Sequence, residues 1–200
     1  MPKNVWTGKV WDDYDYTYTA WGCGTTGWEL AFGNMFLEEL GAAIEEAGLK
    51  NDFRILEEKE KYGGLRFYTS GTTDKIQSII DKYERLSERI CIVCGKPDVP
   101  MINDGWLSPW CCSCWKKNWR EREKYSSKPP KSDDEIEKIY NECICSEDSK
   151  MSDRIVWHRW RKDKEEIITQ DVSETANKIR LHWEKRHGKN KKINIKSETD

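Results

Sequence analysis

The sequence predicts an α+β fold: a small antiparallel sheet with packed helices, then a cysteine-rich module and a helical C-terminal extension. Three observations support this prediction. Two runs of β-forming residues meet at Gly63-Gly64, and a Gly-Gly pair supplies the positive φ angles of a tight hairpin. Apolar residues recur at helical spacing on both sides of that hairpin. Two Cys-x-x-Cys pairs follow it along the chain.

Elements of the N-terminal half alternate between strand and helix. Tyrosines at every second position indicate a strand with one aromatic face, and glycines end it. Gly48 is a natural helix stop, and Thr73-Asp74 is a helix-start signal. The predicted elements are therefore a strand within 5–21, a helix over 28–48, strands over 53–61 and 65–70, and a helix over 75–90.

The C-terminal half is predicted to be helical around one linker. Residues 126–134 contain a Pro-Pro pair among serines and charges, which is typical of a linker. We expect a helix over 115–125, a short helix to about 142 capped by Asp133 or Asp134, helices over 153–168 and 173–187 with a stop at Gly188, and a polar tail. The predicted division is an α+β domain over 1–90, a cysteine module over 91–125, the linker over 126–134 and a helical region over 135–200.

Composition limits the function classes. Of the 200 residues, 36% are hydrophobic and 35% charged, against about 25% charged in ordinary domains. A single large enzyme core is therefore not expected, while 11 Trp, 8 Tyr and 4 Phe exclude an unfolded chain. The sequence contains no apolar run long enough for a membrane span and begins with no secretory signal. We expect a cytoplasmic protein that does not contact membranes.

Charge alternates along the chain although the net charge is only −2. Residues 1–90 and 132–150 are acidic, whereas 115–131 and 151–200 are basic. Such segregation indicates charged surfaces rather than one uniformly basic nucleic-acid binder.

Four cysteines have the spacing of a metal site. Cys91 and Cys94 form the first Cys-x-x-Cys pair, and Cys111 and Cys114 form the second. Paired thiolates from two tight turns suit the tetrahedral coordination of Zn²⁺, and in the cytosol this pattern favours metal over disulfides. A turn, a hairpin and a helix starting at the second pair would form a treble-clef or zinc-ribbon module. We expect a structural zinc ion, because four thiolates leave no open position for water.

A second metal site is a weaker hypothesis. Cys143 and Cys145 could join His158, or His182 with His187. Cys-x-Cys is a poorer zinc pair, and histidines five residues apart diverge on a helix. The alternative is free thiols and surface imidazoles.

A glycine-rich turn offers a candidate nucleotide site. Gly22, Gly24 and Gly27 match the G-x-G-x-x-G pattern between a predicted strand and a predicted helix. The hairpin that follows predicts an antiparallel sheet instead of the parallel crossover that dinucleotide binding requires. A plain glycine turn is the competing interpretation.

The helix after the second cysteine pair mixes cations with tryptophans. Lys116, Lys117, Arg120 and Arg122 could contact phosphates. The alternative is that the tryptophans pack inward while the cations are solvated.

The hairpin motif carries a resemblance. Residues 58–68, Glu-Lys-Glu-Lys-Tyr-Gly-Gly-Leu-Arg-Phe-Tyr, resemble the Lys-Glu-Lys-[Phe/Tyr]-Gly-Gly-Leu-Arg-Phe-Tyr signature of small uncharacterised bacteriophage and prophage proteins. The similarity covers roughly 21–115 and includes Gly27-Trp28 and the cysteine pairs. The extra threonine in Gly24-Thr25-Thr26-Gly27 departs from the usual spacing. The resemblance implies a phage setting, and hence the host cytoplasm, but no particular mechanism.

These observations lead to one expected function and two alternatives. The chain is expected to be a non-enzymatic zinc-binding accessory protein of phage type that binds and modulates a host macromolecule. A host protein is the favoured partner, such as a defence factor, which the chain would inhibit, or a nucleic-acid-processing protein. The first alternative is direct nucleic-acid binding through the basic segments. The second is nucleotide binding or signal sequestration at the turn over 22–27.

Overall fold

The computed structural model describes residues 26–145 and 165–194, and it includes the side chains of 26–145 and 172–188. The helices are α1 (Thr26–Glu46), α2 (Asp74–Ser87), α3 (Cys112–Glu123), α4 (Asp133–Glu142) and α5 (Glu165–Asn194). The strands are β1 (Arg54–Lys61), β2 (Gly64–Ser70), β3 (Met101–Asn103) and β4 (Leu107–Pro109). The predicted strand within 5–21 and most of the predicted helix over 153–168 lie outside the described residues. The α+β class is confirmed.

The main core forms where α1 and α2 pack against the β1–β2 hairpin. Phe36 of α1 stacks at tilted angles on Phe67 of β2 and Tyr83 of α2, with ring centroids 4.9 and 5.0 Å apart. These three aromatic side chains are almost fully buried. Interlocking aromatic rings give a small core much of its buried apolar area.

The β1–β2 turn lies one residue earlier than the Gly63-Gly64 prediction. The positive φ angles occur at Tyr62 (53°) and Gly63 (76°), while Gly64 is the first residue of β2. The Glu60 carboxylate accepts the Gly63 N–H at 2.5 Å and so fixes the turn. A bulky residue in the left-handed region is strained, which makes Tyr62 an unusual turn residue.

Helix α2 covers the outer edge of β2 with polar side chains. Thr73 caps the helix as predicted. Ser87 Oγ accepts the Leu65 N–H at 2.8 Å, and a Glu84 carboxylate oxygen accepts the Phe67 N–H at 2.9 Å. These side chains are buried, so two edge N–H groups that would otherwise lack partners are satisfied.

A second cluster is built from α3, α4 and the β3–β4 hairpin. Trp115 packs on Trp119 and Tyr140, with Ile102 and Ile136 completing the cluster. Ser132, and not Asp133 or Asp134, caps α4, because its hydroxyl and Glu135 form a reciprocal capping box.

Helix α5 runs without interruption through the positions where a break and a stop were predicted. It continues from Glu165 through Gly188 to Asn194, so the predicted separate helices and the stop at Gly188 are wrong. Gly188 takes no positive φ angle, and glycine inside a helix costs only about 1 kcal/mol. Buried Thr175 and Ile179 join α5 to the main core.

None of the helices in the described part of the chain combines the length and apolar character that crossing a bilayer requires.

Candidate metal centre

The first cysteine pair lies in a tight turn directly after α2. The Cys91 N–H donates to the Lys96 carbonyl at 2.8 Å, and the Gly95 N–H donates to the Cys91 carbonyl at 2.9 Å. Gly95 adopts a φ of 80°, a conformation that glycine reaches without steric cost. The turn therefore presents the Cys91 and Cys94 sulfurs on the same side.

The second pair lies at the start of α3. Cys111 is the N-cap residue, and its Sγ accepts the Cys114 N–H at 3.4 Å. The Ser113 hydroxyl lies 3.3 Å from the same sulfur. A helix N-terminus favours negative charge, so this position suits a thiolate.

All four sulfurs converge. The Sγ atoms of Cys91, Cys94, Cys111 and Cys114 lie within 4.8 Å of one another, and none forms a disulfide. The Cys94 and Cys111 sulfurs are 3.7 Å apart. In a zinc tetrahedron with Zn–S bonds of about 2.3 Å, neighbouring sulfurs lie about 3.8 Å apart. The donor set and its spacing fit a divalent metal.

The pKa values of the clustered thiols are shifted in opposite directions. Hydrogen bonds from Cys91 and Cys94 hold the pKa of the Cys111 thiol far below its ordinary value. The hydrogen bond to Cys111, followed by that to Cys91 and by burial, raises the pKa of Cys94. Burial raises the pKa of Cys114 to about 12. One thiolate in the cluster thus disfavours the next, and a divalent cation would stabilise all four.

The first turn of α1 donates two hydrogen bonds to the backbone beside the first cysteine pair. The Gly27 N–H donates to the Ile92 carbonyl at 2.9 Å, and the Trp28 indole N–H donates to the Ile90 carbonyl at 3.0 Å. A Cβ atom at Gly27 would lie only 2.1 Å from the Cys91 carbonyl oxygen. The metal centre is therefore joined directly to the main core.

This contact also gives Gly27 a role other than nucleotide binding. Its N–H is already bonded to Ile92, and its missing side chain admits the cysteine turn. An anion at this helix start would have to displace that backbone. Gly22 and Gly24 lie outside the described residues.

The proposed second metal ligands do not gather in the described part of the chain. Within it, the four-cysteine cluster is the single group of three or more candidate ligands that approach closely enough to share an ion. Cys143 and Cys145 flank Ile144, which bridges to Ile102 of β3. His187 stacks on Trp183 with ring centroids 3.6 Å apart. His158 lies outside the described residues.

The predicted phosphate-binding cations on α3 are engaged within the protein. Lys116 pairs with Glu137 at 2.5 Å, Arg120 with Asp133 at 2.5 Å, and Arg122 with Asp104 at 2.9 Å. Lys117 alone of the four forms no ion pair with another described residue. Cations of the basic segment 115–131 thus pair with acidic residues of α4 and of the β3–β4 turn.

One exposed feature was not identified from the sequence. Trp106, in the β3–β4 turn, is 65% exposed, and Tyr62, in the β1–β2 turn, is 58% exposed. A Cβ atom at Gly63 would lie 2.5 Å from Met101 Sδ and 3.2 Å from the Leu107 carbonyl, so the β1–β2 turn contacts the β3–β4 hairpin. We call Tyr62 and Trp106 the aromatic tips. The contact between the two hairpins depends on tertiary packing, which the sequence pattern did not reveal.

Comparison with known proteins adds no relative: no family model, no curated protein and no solved structure matches this chain.

Proposed function

We propose that this chain is a non-enzymatic accessory protein that is held together by zinc and binds a host protein through its aromatic tips. The observation that carries the proposal is the exposure of Tyr62 and Trp106 in the turns of two hairpins that contact each other. The phage-type resemblance motivates a host protein, such as a defence factor, as the partner, and modulation of that protein as the effect.

Zinc is the metal proposed for the four-cysteine site. Four thiolates at tetrahedral spacing favour Zn²⁺ over the harder cations Mg²⁺ and Ca²⁺, which prefer oxygen ligands. A four-thiolate site has no open coordination position, so its role is structural. Two tight turns position the four sulfurs for metal binding, and α1 holds the first turn against the core.

The aromatic tips have the character of binding anchors. Trp and Tyr are enriched among the residues that dominate protein interfaces. Tyr62 has a positive φ angle where Asn or Gly would fit without strain, and its ring contributes little to the core. Strain of this kind is often associated with a functional site.

Affinity capture tests the binding proposal. The wild-type chain is expected to retain a stoichiometric host protein from a lysate of its host. A double variant, Tyr62→Asn with Trp106→Ser, should lose that protein at least tenfold. Asn tolerates the left-handed region, so this variant should remain folded.

Tyr125→Ser is the matched control, because Tyr125 is 91% exposed and lies outside both turns. It should retain the partner. Recovery of no stoichiometric host protein, or equal retention by the double variant, would contradict the proposal.

A further inference from the structure

Helix α5 consists of an anchored half and an exposed half. Thr175 and Ile179 are buried against the main core, with Val172 and Ala176 partly buried beside them. Between 180 and 188, only Trp183 is partly buried. Residues 180–188 therefore present most of their surface to solvent.

The exposed half is strongly basic. Residues 178–192 contain seven lysines and arginines against one glutamate. Lys178 and Lys185 are seven residues apart, so they lie on one face of the helix. Positions 189 and 192, both lysine, continue that face by their spacing along the same helix.

Among the side chains that the structure describes here, the two arginines have structural partners, whereas Lys178 and Lys185 form no ion pair. Arg180 pairs with Asp98 at 2.9 Å, and Arg186 donates to the Leu30 carbonyl at 3.1 Å. Within the described part of the chain, Lys178 and Lys185 form no ion pair. This contrasts with α3, where three of the four predicted cations are already paired.

We propose that the lysine face of α5, defined by Lys178 and Lys185, binds the phosphodiester backbone of a nucleic acid. Phosphate contacts are made largely by lysine and arginine, and a duplex carries one charge per roughly 1.7 Å of its axis. Residues 178–192 extend along about 21 Å of helix, so the face can contact several phosphates. The proposal is independent of the aromatic tips and of their host-protein partner.

Two other partner classes fit this face less well. Lysine is depleted in protein interfaces relative to the rest of the surface. A membrane-surface helix needs a free apolar face. The apolar side of α5 is used in packing against the core, and Leu181 is the one large exposed apolar residue among its described side chains.

Fluorescence titration of the full-length chain tests the proposal. Its 11 Trp report binding of duplex DNA, duplex RNA, single-stranded DNA and single-stranded RNA, each at several salt concentrations. The wild-type chain should bind at least one of them, with an affinity that falls steeply as salt rises. The four arms identify the form of nucleic acid.

A charge-reversed variant locates the surface. Lys178→Glu with Lys185→Glu should weaken binding at least tenfold and reduce the slope of log affinity against log salt by about two, roughly 0.9 per lost phosphate contact. Lys128→Glu with Lys138→Glu changes the net charge equally on two exposed residues elsewhere. This control should stay within about twofold of the wild type.

Several outcomes would overturn the proposal. They are no binding by the wild type at low salt, equal losses in the two double variants, or an unaffected Lys178→Glu/Lys185→Glu variant. Equally tight binding of polyglutamate or of anionic lipid vesicles would assign the face to an acidic protein or a membrane instead. A circular-dichroism spectrum that matches the wild type would show that the variants are folded.

Discussion

Replacing Gly27 by alanine should damage both the fold and the metal centre. The added Cβ would lie 2.1 Å from the Cys91 carbonyl oxygen and 2.6 Å from the Ile92 carbonyl carbon. Both are backbone atoms, so no flexible side chain can move away. Relief requires α1 to separate from the cysteine turn, which also breaks the Gly27 to Ile92 hydrogen bond.

The magnitude follows from these two losses. Overpacking of a tight contact costs about 1–3 kcal/mol, and a lost hydrogen bond costs about 1 kcal/mol. The sum of about 2–4 kcal/mol corresponds to a fall in Tm of roughly 4–16 °C for a chain of this size. Without metal, the turn at Cys91–Cys94 can shift and relieve the clash with the added Cβ. A bound zinc ion would fix the sulfurs of that turn and prevent the shift, so the affinity for zinc should fall more than tenfold.

Thermal unfolding and a zinc competition titration are the assays. Gly188→Ala is the matched control, since a Cβ atom there meets nothing within 4 Å and the residue lies inside α5. It should stabilise the chain by up to about 1 kcal/mol. If Gly27→Ala unfolds at the wild-type temperature and binds zinc equally well, the inferred contact between α1 and the cysteine turn is wrong.

Two further predictions concern the polar contacts of the fold. Ser87→Ala should destabilise the chain by about 1–3 kcal/mol because the buried Leu65 N–H loses its partner; an unchanged urea midpoint would refute this role for Ser87. In a separate contact, Asp133 accepts a hydrogen bond from Arg120 and forms an ion pair with it, and both lower the pKa of Asp133 below its unfolded value. The stabilisation is therefore present above the ordinary carboxyl range and is lost as pH falls through the folded pKa, below about pH 4. The difference between the urea midpoints of the wild type and Arg120→Gln should be larger at pH 6 than below about pH 4; a difference that does not vary with pH would count against the pairing.

Local signals in the sequence predicted most of the secondary structure. The apolar stripes of α1 and α2, and the cap at Thr73, depend on residues close together in the chain. Each cysteine pair is positioned by its own short turn. The sequence could therefore identify the four candidate ligands without knowledge of the rest of the fold.

The sequence was misleading where distant contacts or tolerated strain decide the structure. Gly63-Gly64 predicted the turn, but Tyr62 takes the strained position and Gly64 enters the strand. Gly188 predicted a stop, but it is accommodated inside α5. These are local preferences of modest energy, and tertiary packing can exceed them.

Functional patterns in the sequence likewise leave the structural partners of a residue open. Gly27 belongs to a pattern typical of phosphate binding, yet its lack of a side chain admits the Cys91 backbone. Lys116 and Arg120 formed a basic patch in the sequence, but both bind acidic residues near or within α4. Partners distant in the chain cannot be identified from composition alone.

The metal content of the purified chain shows whether the four clustered cysteines hold a structural ion. We expect one zinc ion per chain by elemental analysis. The ion should be lost in Cys94→Ser with Cys114→Ser and retained in Cys143→Ser with Cys145→Ser. Removal of the ion with a chelator should lower the Tm of the wild type. A chain that contains no zinc and is unaffected by added zinc would refute the structural zinc site, as would zinc that depends on Cys143 and Cys145.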